Sequence, residues 1–377
     1  MSAVSDRNDG HEELRKAVRA FLKNASPSSE VRRLMATAEG YDPEVWRRLA
    51  DELGLVGLIV PERFGGAGAG AAELAVVMAE MGRTLLCSPY LSSAVLAPAV
   101  LLESGDEAAC AALLPGIADG SALATLAVAE DNADIRDFDA IRTTARADGD
   151  RHLLHGTKER VSDGCTAGLL LTVARTDKGL SLFAAEPEGA EREPLPALDP
   201  TRKLARVGFD GTPARLIGAE GAAAAVLGRA LDLGTVALAA EQTGGAERCL
   251  ELSVEYAKTR EQFGRPIGAF QAIKHKCAEL LHEVESAKAA AQDAARLWSD
   301  PTTGEQGLAA SVAGAYCSEA YVHAAAETIQ IHGGIGFTWE HDAHLYLRRA
   351  RSSALLLGST SWHLERVAED IGLVPSA

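Results

Sequence analysis

Two carboxylates, Asp232 and Glu241, flank a stretch that could shelter a proton-transfer group, since Thr235 to Ala240 contains no acid. A carboxylate among apolar residues holds its proton more tightly and can serve as a base. The competing reading is a structural ion pair or a hydrogen bond between helices, and we take that as the default. Metal chemistry has no foothold here. The six cysteines form no CxxC pair, and the ten histidines form no HExxH or similar cluster. Pro61–Gly70 is glycine-rich but lacks a following Lys-Ser/Thr, so it reads as a connecting turn, not a phosphate cradle.

Two further segments carry the strongest signal. One is Tyr256-Ala-Lys-Thr-Arg-Glu-Gln-Phe-Gly264, continued by Arg265-Pro-Ile-Gly268 and Gln271. The other is Gln330-Ile-His-Gly-Gly-Ile-Gly-Phe-Thr338. Taken singly, Arg260 reads as a helix-end cation and Gly333-Gly334 as a helix C-terminal turn. His332, Glu340 and His341 read as loop and cap residues. Arg348, Arg349 and Arg351 form a basic cluster that suits an ion-paired helix face or an acidic partner.

The elements that must position these residues follow from periodicity. Residues 1–120 read as helical, with apolar spacing from His11 to Lys23 and a start signal at Asp42-Pro43 for a helix ending near Leu53. Ala71 to Met81 is helical again. Residues 121–225 break into strand-length apolar runs: Leu123–Val128, Leu169–Val173, Leu180–Ala184 and Ala205–Phe209. These predict a small all-β domain of hairpins. Residues 226–377 return to long helices, interrupted by few breakers such as Gly228, Gly234 and Gly244-Gly245, and predict a four-helix bundle.

Composition narrows the classes. The chain has 377 residues, 47% of them hydrophobic, and a net charge of -16. That balance fits a globular protein of two or three domains and argues against nucleic-acid or anionic-membrane binding. Met1 to Gly10 has no apolar leader core, and no apolar run reaches about 18 residues, so a cytoplasmic protein is expected.

The three-part order and the two segments resemble the acyl-CoA dehydrogenase family over essentially the whole chain. The resemblance implies a helical N-terminal domain, a β domain and a C-terminal four-helix bundle. It implies flavin-dependent α,β-dehydrogenation of an acyl-CoA thioester: a carboxylate takes the α-proton and a hydride leaves the β-carbon for FAD. The FAD is shared across a subunit interface. Its neighbour-facing contacts would come from Arg260, Gln262, Phe263, Gln271, Gln330, Gly333 and Gly334, and Ser162 and Thr360 would keep hydroxyls among the remaining cofactor contacts. Arg260 would meet pyrophosphate oxygens.

Elsewhere the chain departs from the family pattern. The family's Thr-Glu-Pro and Gly-Ser-Asp loop is Ala129-Glu-Asp-Asn-Ala-Asp134 here, and its flavin-covering tryptophan is Arg160. Its usual catalytic glutamate falls on Leu357 or Gly358, neither of which can take a proton. Some members place the base near Gly234 instead. Asp232 points to a different helix face from Gly234, and Glu241 lies about 10 Å along the axis. The resemblance is therefore closest to the actinobacterial steroid side-chain type, an α2β2 enzyme of two unlike subunits. It implies an acyl-CoA substrate, a second dehydrogenase subunit and an electron-transfer flavoprotein as acceptor. Two alternatives stand beside it: a self-sufficient homo-oligomer using Glu241 or Asp232 as base, and a non-catalytic scaffold of the same fold.

Overall fold

The computed structural model describes residues 2–300 and 302–374. Met1, part of the polar N-terminal stretch read above, lies outside them. Six helices come first: α1 Ser2–Ala25, α2 Ser28–Met35, α3 Pro43–Asp51, α4 Ala71–Arg83, α5 Ala97–Glu103 and α6 Glu107–Ala118. Seven strands follow: β1 Ala124–Ala127, β2 Thr144–Asp148, β3 Arg151–Ser162, β4 Leu169–Thr176, β5 Gly179–Ala185, β6 Ala190–Leu195 and β7 Leu204–Ile217. Then come α7 Ala223–Thr259, a ribbon of β8 Glu261–Gln262 and β9 Arg265–Pro266, α8 Gln271–Trp298, α9 Gln306–His332, α10 Ala343–Ser353 and α11 Thr360–Asp370. Helices, strands, helices is the expected order.

Contacts divide the chain into two interleaved units. One contains Arg32–Gly70 and Cys87–Gly234. Its sheet runs β1-β4-β2-β3-β7-β5, β6 adds to β7, and β4 also pairs with β5, so the strands close on themselves. The expectation of hairpins alone is corrected: β1 runs parallel to β4. The apolar-run search missed β2, β3 and β6. β3 buries Leu154, Lys158 and Val161 among exposed and half-buried, mostly polar neighbours, so no apolar run marks it. Leu154, Leu170, Ala174, Phe183 and Val207 fill the interior. Asp42 caps α3, accepting from the Glu44 and Val45 N–H groups, and the helix stops at Asp51, two residues short of expectation. In the 61–70 loop, a Cβ on Gly66 would lie 2.1 Å from the Val60 carbonyl oxygen, so this glycine serves a tight turn.

The other unit holds the stretch up to Val31, Ala71–Leu86 and everything from Thr235 on. Gly244 and Gly245 do not break α7. They mark its closest crossings. A Cβ on Gly244 would lie 1.8 Å from the Ala79 carbonyl oxygen of α4, and one on Gly245 would lie 2.4 Å from the Tyr321 ring of α9. Gly82 of α4 likewise abuts the Glu241 carbonyl. Small residues here let backbones touch, which outweighs their poor helix propensity. By length and composition α7 could cross a membrane, contrary to the reading of short apolar runs. However, 67% of its most apolar 18-residue window is buried inside the protein, which makes it a core helix.

Candidate functional site

Beyond the end of α7 the chain turns sharply. β8 and β9 form a hairpin whose two turn residues, Phe263 and Gly264, take φ of 53° and 76°. Glycine adopts such angles freely, but an aromatic residue does so at a cost. The turn leaves the Phe263 ring 91% exposed. Phe263 and Phe270 meet edge to face with centroids 6.1 Å apart, and the Arg265 guanidinium lies 4.3 Å from the Phe270 centroid.

The second segment ends α9. Gly333, at φ 64°, stops the helix, and Gly333–Phe337 forms a 3-10 turn. Tyr256 and His332 stack with centroids 4.3 Å apart and planes 25° apart. Segments more than 70 residues apart in sequence are thereby brought together in one unit. Sequence reading gave His332 no role.

The surface around this stack is open. Arg260, Gln262, Gln271 and Gln330 are exposed. Among the described residues the Gln262 amide donates to the neighbouring Glu261 carbonyl. A Cβ on Gly333 or Gly334 would meet no heavy atom within 4 Å. Gly333 needs its left-handed φ, whereas Gly334 has neither a positive φ nor a crowded Cβ. Nothing within the chain demands glycine at 334, which suits close approach by something outside it. Phe337 and Trp339 are 80% and 58% exposed. An apolar rim beside a permanent cation fits an aromatic, phosphorylated ligand, so these residues fit FAD.

The two candidate bases are both paired. Arg136 donates to Asp232 at 2.7 Å, with both side chains buried. Arg349 lies 3.6 Å from Glu241, also buried, and donates to the Leu86 carbonyl at 3.0 Å. The basic cluster therefore splits into separate jobs. Arg348 sits 5.3 Å above the Trp339 ring, Arg349 faces Glu241, and Arg351 is exposed. Of the two residues that the resemblance sets at the base position, Leu357 is buried and Gly358 takes φ 118°. Thr360 begins α11 behind Ser359, whose Oγ accepts from the Trp362 N–H.

On the strand side, Ser162 is half-buried and its carbonyl accepts from Thr125 Oγ1 at 2.5 Å. Lys158 is fully buried and donates to Glu130 at 2.6 Å and to the Val128 carbonyl at 3.1 Å. Glu130 also accepts from the N–H groups of Arg142 and Thr143 at 2.6 and 3.0 Å. Arg160, at φ 54°, donates to the carbonyls of Asp131 and Ala133 at 2.6 and 2.5 Å. Among the described residues no three His, Cys, Asp or Glu side chains converge as metal ligands.

His332 gives the stack a pH dependence. Its Nδ1 donates to the Thr328 carbonyl at 2.7 Å, and His341 lies 4.3 Å away. Burial, with His341 adding to it, holds the imidazole below its ordinary value despite the Thr328 bond. The unfolded chain therefore binds this proton more readily than the folded one. Stability from the neutral ring is intact above about pH 6.5 and declines as pH falls through that value toward the depressed one. The His332→Phe variant keeps a stacking ring but cannot titrate. Its melting temperature should fall less than that of the wild type between pH 8 and pH 5; parallel curves would assign the acid limb to other groups.

Comparison with known proteins agrees with this geometry. Residues 8–121 match the acyl-CoA dehydrogenase N-terminal domain, and residues 221–372 match the C-terminal domain. The chain is 38% identical to the acyl-CoA dehydrogenase IpdE2 of Mycobacterium tuberculosis, over 95% of its own length and 96% of that protein. A chain from a structure of a Tcur3481-Tcur3483 steroid ACAD variant superimposes with a TM-score of 0.85 at 31% identity, covering 97% of this chain and 98% of that one. A chain of the ChsE4-ChsE5 complex from Mycobacterium tuberculosis gives 0.86 at 28% identity, covering 97% and 98%. With its fold, its two segments and its full-length relatives in agreement, the chain belongs to the acyl-CoA dehydrogenase family.

Proposed function

We propose that this chain is the subunit of a heteromeric acyl-CoA dehydrogenase that holds the outer part of an FAD whose ring and catalytic base belong to a partner subunit. The observation that carries this reading is a contrast. Arg260, Phe263 and Gly334 are exposed and fit a ligand, while the resemblance puts the base position on Leu357 or Gly358 and both candidate acids are engaged by arginines. When bound, FAD supplies the hydride acceptor for acyl-CoA oxidation. Arg260 holds the pyrophosphate charge with its planar fork. Phe263 offers its exposed ring to the adenosine part, Gln271 and Gln330 supply hydrogen bonds, and Gly333-Gly334 lets the backbone come close. Gln262 and Thr360 are secondary polar contacts in the same scheme.

Of the two structural relatives named above, one is a Tcur3481-Tcur3483 steroid ACAD variant and the other a ChsE4-ChsE5 complex. That supports a second, unlike dehydrogenase subunit as partner and a steroid acyl-CoA as substrate. An electron-transfer flavoprotein is the acceptor that the family resemblance implies. The deciding experiment is purification of the chain alone and together with a candidate partner. Full FAD occupancy and acyl-CoA oxidation by the chain alone would defeat the proposal and favour the self-sufficient homo-oligomer.

Arg260→Ala measures the FAD contact directly. A charge-assisted hydrogen bond contributes about 1.5–3 kcal/mol. At about 1.4 kcal/mol per tenfold, the FAD Kd of the co-purified complex should rise about 10- to 150-fold. Flavin fluorescence on dilution reports it, and Arg260→Lys should fall between. Unchanged FAD affinity and activity would favour the scaffold reading.

A further inference from the structure

We infer that Arg160 is a positioning residue that latches the loop after β1 shut, so that the shape of residues 131–137 is set by the chain itself and not by flavin. This rests on the proposed division of labour and adds the device that enforces it within this chain. Between Lys158 and Val161 the pairing of β3 with β7 slips register, and Glu159 and Arg160 leave the ladder. Bulges of this kind re-aim a side chain. Arg160 takes the left-handed φ of 54° there, a conformation that a non-glycine residue keeps only where its surroundings fix it. Its two terminal nitrogens reach two different carbonyls of one loop, those of Asp131 and Ala133. That fork requires a guanidinium, because a lysine ammonium has no second planar arm.

The remainder of the loop is fastened by other side chains. Glu130 collects the N–H groups of Arg142 and Thr143. Arg136 runs back to Asp232 on α7. Arg175 donates to the carbonyls of Ile141 and Phe138 at 2.7 and 3.0 Å. A loop that awaits a ligand leaves polar groups for it. Here the Asp131 and Ala133 carbonyls are already taken by Arg160, which itself offers no acceptor. Flavin occupancy of the assembly and order of this loop are therefore uncoupled.

Hydrogen–deuterium exchange of the co-purified two-subunit complex, with and without FAD, tests this. In the wild type, exchange across residues 131–137 of this chain should be the same in both states. Arg160→Ala and Arg160→Lys should each raise it about tenfold, with FAD affinity unchanged. FAD-dependent protection of 131–137 in the wild type would overturn the latch, because flavin would then be seated on this loop. A fall in FAD affinity with unchanged exchange would also overturn it, making Arg160 a ligand contact. Unaltered exchange in both variants would remove the latch altogether. Flavin binding by the wild-type chain alone is a separate readout: it would defeat the proposed division of labour, while the exchange comparison still decides whether Arg160 fixes the loop.

Discussion

Lys158→Met should destabilise the protein by about 3–5 kcal/mol, the cost of leaving one member of a buried ion pair without its partner. Lys158 has no exposed surface, and its ammonium meets Glu130 at 2.6 Å. Burial drags the lysine down to about 8, with Glu130 opposing, so it remains mostly charged at pH 7. Burial also pushes Glu130 up, but the Lys158 charge and the donors from Thr143 and Arg142 outweigh it and hold the carboxyl below its ordinary value. Methionine fills a similar volume and removes the charge, so the loss is electrostatic and not a cavity. Adding Glu130→Gln should recover more than half of it, because the amide oxygen can still accept from the Arg142 and Thr143 N–H groups. Urea midpoints of the two variants check both claims. A single variant within 1 kcal/mol of wild type would show that water or a local shift relieves Glu130.

Much of this architecture was legible in the sequence, because it rests on local rules. Asp42-Pro43 announced α3 through capping chemistry, and the scarcity of breakers after residue 225 announced the long C-terminal helices. The two flavin-like segments were readable because their glycines and cations are adjacent in sequence. Pairings across long separations were not readable. Nothing local links Arg136 to Asp232 or Lys158 to Glu130. β3 hides behind its charges, and the α7 glycines look like breakers until α4 and α9 are packed against them. One signal named the interaction but not the partner: an acid on an apolar helix needs a cation, which is why the ion pair is the default reading. Glu241 had three candidates in Arg348, Arg349 and Arg351, and the structure selects the buried one.

The same pairing separates stability from chemistry at the two acids. Asp232→Asn should cost about 3–5 kcal/mol by leaving the buried Arg136 without its counter-charge. Glu241→Gln should cost less, since Arg349 is 3.6 Å away and keeps its bond to the Leu86 carbonyl. Turnover per bound flavin in the assembled complex should be unchanged in both, because each carboxylate is already engaged by a buried arginine. A general base in either place would behave oppositely: its loss lowers kcat by about 10²–10⁴-fold. Replacing both members of the first pair, Arg136→Leu with Asp232→Leu, removes the charges together and should restore much of the stability lost in Asp232→Asn. If Asp232→Asn or Glu241→Gln instead abolishes turnover while the melting temperature holds, the base resides in this chain after all. The open surface at Arg260 and Phe263 would then serve a second copy of this same chain.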